Sequence, residues 1–238
     1  MSRVYRVVVI LAAIASLLLN FGIVDLIDGL TGVFTDDTTW VLDTGWGALF
    51  GVLIPVGLLA SLRTGAGVQQ IALITVAIAV AAVAGEAWRW FIFVAILATI
   101  VALSPQRRAA VRFRPSWPLA AIALVPCALY AERAASAQRR HASPSDAVSN
   151  GFHHWTALAV LAIAVVLLAL GPRLLALSAS AAAALWAVAS LFHPNADGSE
   201  GRGWAIAALG WAVTLALTQG RRGAPANFFR IDQNIPPR

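Results

Sequence analysis

The residues able to do chemistry in this chain are few, and they sit at the ends of apolar runs. Glu132 follows the run Trp117–Ala131. His153 and His154 open the run Trp155–Leu170, and His193 follows Leu174–Phe192. Asp25 closes the run Val7–Val24, and Glu86 lies in the short turn between Val68–Ala84 and Trp88–Leu103. Imidazole and carboxylate together suit a divalent metal such as zinc. They also form an acid–base set, because histidine titrates near neutral pH. On this reasoning Glu132, His154 and His193 are the candidate catalytic residues, and the same three with His153 are the candidate metal ligands. Helix geometry restricts the set. His153 and His154 are adjacent, so they point about 100° apart on a helix. No His-Glu-x-x-His motif occurs, and no two histidines stand four apart.

The elements that must position these residues are transmembrane helices. Apolar residues make up 60% of the 238 residues and charged residues only 12%. Mean hydropathy is +0.79. A soluble domain carries about 25% charged residues, so a chain this poor in charge cannot coat a water-facing surface, and lipid must be its solvent. A span needs about 20 residues. The sequence predicts an all-α polytopic bundle of about eight spans: Val7–Val24, Gly45–Leu62, Val68–Ala84, Trp88–Leu103, Trp117–Ala131, Trp155–Leu170, Leu174–Phe192 and Trp204–Leu217. Residues 1–222 form this single bundle, and residues 223–238 are expected to be an extended cytoplasmic tail. The run Trp117–Ala131 is short and contains Pro118 and Pro126. Residues 26–44 and 134–152 are expected to be the two long outer loops. Asp146 or Ser149 is the expected cap of the helix that follows the second loop.

Charge gives the bundle a direction. All 17 basic residues are arginine. If the N-terminus is inside, twelve arginines fall on the inner side, and Arg89, Arg133, Arg139, Arg140 and Arg202 fall on the outer side. The positive-inside rule then predicts both termini in the cytoplasm. Arginine without lysine, with abundant alanine, points to a GC-rich bacterial source and hence to the bacterial plasma membrane. The arginines lie in loops, where they serve orientation and lipid headgroups, so no nucleic-acid partner is expected. The absence of lysine excludes a retinal Schiff base.

The carboxylates and histidines segregate as well. Every acidic residue except Asp232 lies on the outer half, with all four histidines. Acidic residues contribute little to topology, so their segregation needs another cause. An outward polar cup of histidines and carboxylates is one cause, with Arg133 the expected partner of Glu132. The other is that charged groups cost least at the headgroup level, flanked by an aromatic belt of Trp46, Trp88, Trp90, Trp155 and Trp204. No Asp, Glu, Lys or His sits near the centre of a span, where ion-coupled transporters carry such residues. The spacing Gly47-x-x-x-Gly51 predicts a close helix crossing.

The function expected from these features is a binding or accessory role exercised through the outer cup. Its partners would be the bilayer and a membrane protein or a second copy of the chain. The alternatives are a membrane-embedded enzyme, with or without a metal, on a lipid-linked or periplasmic substrate, and a transporter without ion coupling.

Overall fold

A computed structural model describes residues 3–18, 22–31, 40–108, 117–140 and 154–221. Among these residues every regular element is helical, with no strand. The α-helices are α1 (Arg3–Leu18), α2 (Gly22–Thr31), α3 (Trp40–Gly47), α4 (Ile54–Ser61), α5 (Gly65–Ala84), α6 (Phe91–Leu103), α7 (Trp117–Arg140), α8 (His154–Ala169), α9 (Arg173–Phe192) and α10 (Arg202–Arg221). A π-helical stretch, Ala48–Leu53, joins α3 to α4, and a 3-10 turn, Trp88–Trp90, leads into α6.

Five segments are long and apolar enough to cross a membrane: Arg3–Asp28, Trp40–Ser61, Gly65–Ala84, Pro118–Arg140 and Arg173–Phe192. Trp88–Leu103 and His154–Ala169 are apolar but shorter. Large apolar side chains face outward along the helices, among them Val7, Leu11 and Ile14 on α1 and Val76, Val80 and Val83 on α5. Such stripes are a liability in water and suit hydrocarbon.

The π-helical stretch has a local cause. Pro55 lacks an N–H, so the carbonyl of Gly51 loses its α-helical donor. The register widens, and Ile54 N–H donates to the Leu49 carbonyl five residues back. Carbonyls released by the wider turns take side-chain donors. Ser16 Oγ donates to the Phe50 carbonyl at 2.6 Å, and Gln70 Nε2 donates to the Leu53 carbonyl at 2.8 Å. Gln70 in turn accepts a hydrogen bond from Ser178 Oγ at 3.0 Å. One fully buried amide therefore ties the π-helical segment, α5 and α9 together.

The Gly47-x-x-x-Gly51 spacing does produce a close crossing, and its partner is α2. A Cβ on Gly22 would stand 2.6 Å from Gly51 N, and one on Gly51 would stand 2.6 Å from the Gly22 carbonyl oxygen. Small residues at both positions let the two backbones touch.

Three boundaries differ from the sequence reading. Residues 26–31 and 40–44 are helical rather than loop, so Asp28 and Asp43 are buried on α2 and α3. Helix α7 runs on to Arg140, because Ala131–Arg140 is rich in strong helix formers. The Asp146 and Ser149 caps lie outside the described residues. The start of α8 is held by Gln138 of α7, whose Oε1 accepts from Thr156 N–H at 3.3 Å and Thr156 Oγ1 at 2.9 Å.

The aromatic belt is also only half right. Trp88 and Trp204 are exposed, but Trp46 and Trp90 are core residues, with Trp90 wholly buried. Trp46, Phe50, Trp90 and Phe93 form one cluster with ring centroids 4.6–6.0 Å apart.

Candidate functional site

Most of the polar residues singled out by sequence gather at one end of the bundle, where α7 ends and α3, α8 and α10 begin. The Schellman-type end of α5 belongs there too. Glu86 N–H donates to the Val83 carbonyl at 3.3 Å and Ala87 N–H to the Ala82 carbonyl at 2.9 Å. Glu86 itself takes φ 55°, a left-handed conformation usually left to glycine. Arg139 of α7 donates to the Ala84 carbonyl, closing α5 against α7.

The candidate residues do not converge as one set. His154 Nε2 stands 3.7 Å from Asp43 Oδ1, with both side chains largely buried. The His154 ring meets Trp46 edge-on at 5.1 Å. His193, just past α9, packs against Trp40 with ring centroids 3.6 Å apart and the rings tilted by 50°. Burial lowers its pKa from the ordinary 6.5. Glu132 lies on an exposed face of α7, accepting from Ser136 Oγ at 2.6 Å with Arg139 at 3.8 Å. Arg133, the expected partner of Glu132, instead reaches Glu200 at 2.5 Å. His153 lies outside the described residues. Among the described residues no three His, Cys, Asp or Glu side chains are placed to hold a metal ion.

What the structure does assemble is a composite around the first turn of α3. Trp40 meets His193 and Asp43 meets His154, so one short helix touches both histidines. Asp25 and Asp28 of α2 lie within electrostatic reach of each other, and Asp43 acts on Asp25 as well. Sequence reasoning missed Asp43 because it fell inside an expected loop. Asp43 stands three residues after Trp40 and three before Trp46, and that helical spacing was the available signal.

A second feature of this end is a hydrogen-bonded bracket. Tyr130 Oη donates to the Gly198 carbonyl at 2.5 Å, and Trp186 Nε1 donates to Tyr130 Oη at 2.9 Å. Gly198 adopts φ 83°, which turns its carbonyl back toward α7 and α9. The bracket pins residues 194–200 over a cavity of about 400 Å³ between α7, α8, α9 and α10.

Comparison of the chain with family models, with curated proteins and with solved structures found no match in any of the three.

Proposed function

We propose that this chain is a multi-pass bacterial plasma-membrane protein with a binding or accessory role, exercised at the end that carries Asp43, His154 and His193. The single observation that carries the reading is the first turn of α3, which engages both histidines through Trp40 and Asp43. Buried charge at a helix end is costly unless paired, and a preformed pair beside a second, ring-packed histidine is a suitable surface for a polar ligand or partner.

The proposed topology has eight spans with both termini cytoplasmic. It is supported by eight helical segments among the described residues: α1 with α2, α3 with α4, and then α5, α6, α7, α8, α9 and α10. It is also supported by the distribution of arginine. The cup then faces away from the cytoplasm.

Metal analysis of protein purified from metal-replete cells tests the binding reading. It is expected to find no stoichiometric divalent ion. A stoichiometric ion that disappears in His154→Ala would replace this reading with a metal-dependent enzyme. A C-terminal reporter active only outside the cytoplasm would overturn the topology.

A further inference from the structure

The cavity beneath the Tyr130–Gly198 bracket is an apolar groove with one charged rim. Its wall is built from Ile122 and Leu129 on α7, Leu161 and Val165 on α8, Trp186 on α9 and Trp211 on α10. Its volume of about 400 Å³ is within the range of small-molecule sites. Helix α7 is tied at two levels, to α10 and to the segment just before it. Trp211 Nε1 donates to the Leu119 carbonyl at 2.9 Å toward one end, and Arg133 meets Glu200 at 2.5 Å at the other. Leu119 and Arg133 stand fourteen positions apart, about 20 Å of helix, against about 15 Å for one leaflet of hydrocarbon. Ile122, Leu129 and Trp204 line the groove and are more than half exposed, so its open side lies on the apolar outer surface.

The occupant is defined by the two ends. The long wall offers no charge, which suits an alkyl chain. The rim offers one guanidinium and one carboxylate side by side, and among the described residues neither has another hydrogen-bond partner. The Arg133 side chain is 68% exposed, which leaves most of its five N–H donors facing outward. A phosphate can take those donors while a neighbouring ammonium meets the Glu200 carboxylate. We propose that this groove holds one acyl chain of a phospholipid with a zwitterionic primary-amine headgroup, its phosphate on Arg133 and its ammonium on Glu200. The site is separate from the Asp43–His154 pair and does not depend on it.

Native mass spectrometry of the full chain tests this, with phosphatidylethanolamine, phosphatidylcholine and phosphatidylglycerol of identical acyl chains added in turn. Phosphatidylethanolamine is expected to be retained about tenfold better than phosphatidylcholine, equivalent to about 1.4 kcal/mol. Glu200→Gln is expected to remove that preference, and Arg133→Gln to weaken retention of both lipids. Ala208→Trp fills the groove and is expected to abolish retention. Should that variant fail to fold, phosphatidylethanolamine brominated on its acyl chain provides the second measurement, since it quenches Trp211 fluorescence in the parent and less so in Trp211→Phe. Equal retention of all three lipids, stronger retention of phosphatidylglycerol, or acyl-bromine quenching equal in parent and Trp211→Phe would each overturn the proposal.

Discussion

His154 Nε2 and Asp43 Oδ1 stand 3.7 Å apart and join α8 to α3 at the polar end of the bundle. Removing either partner takes from a largely buried group its interaction with the other. A double-mutant cycle with His154→Gln and Asp43→Asn is expected to give a coupling of about 1 kcal/mol or more. Reversible unfolding in mixed micelles measures it, and additive single effects would show that the two groups act independently.

Gly22 and Gly51 leave no room for a Cβ between α2 and the π-helical segment. Gly51→Ala is expected to destabilise the protein by about 1–3 kcal/mol, the usual cost of overpacking. The same change at Gly210, where nothing lies within 4 Å of the added methyl, is the control and is expected to be near neutral or slightly stabilising. The two melting temperatures in one detergent decide the matter.

Gln70 satisfies the Leu53 carbonyl and the Ser178 hydroxyl at once. Gln70→Leu keeps the volume but strips both partners, at a cost of about 1–3 kcal/mol for each polar group left buried. Gln70→Glu keeps only an acceptor and is expected to lose the Leu53 bond. Thermal unfolding of the two variants, with Ser178→Ala as the single-partner comparison, separates the contributions.

His193 gives the fold a pH dependence of known sign. Its pKa lies below the ordinary 6.5 because burial disfavours the charged ring. At higher pH the ring is neutral both folded and unfolded and adds no slope. As pH falls below about 6.5 the unfolded chain takes up the proton first, so stability declines until the lowered folded pKa is reached. Melting curves between about pH 7.5 and pH 5 are expected to show a decline that shrinks in His193→Gln. An unchanged decline in that variant would assign it to other groups.

Glu86 occupies the left-handed position that ends α5. Glu86→Gly removes the Cβ clash inherent in that conformation and is expected to stabilise the protein by about 1 kcal/mol. Glu86→Ala keeps the clash and is expected to gain nothing. If glycine is neutral as well, the carboxylate makes a compensating contribution.

Composition alone pointed to apolar helices suited to hydrocarbon, and the structure is helical among the described residues, with five segments long and apolar enough to cross a membrane. The apolar runs also located the helices, since each must satisfy its own backbone in the absence of water. The Gly47-x-x-x-Gly51 crossing was legible for the same local reason, although its partner α2 was not. Tertiary structure decided which polar groups meet. Glu132 and His154 looked equivalent in the sequence, each at the end of an apolar run. Yet α7 continues past Glu132 and turns it outward, whereas α8 starts at His154 and presents it to Asp43. Trp90 read as part of the interfacial aromatic belt, yet packing buries it, as it buries Gln70. The groove between α7 and α10 has no signature along the chain, because it is a gap between helices distant in sequence, set by where Trp211 and Arg133 brace them.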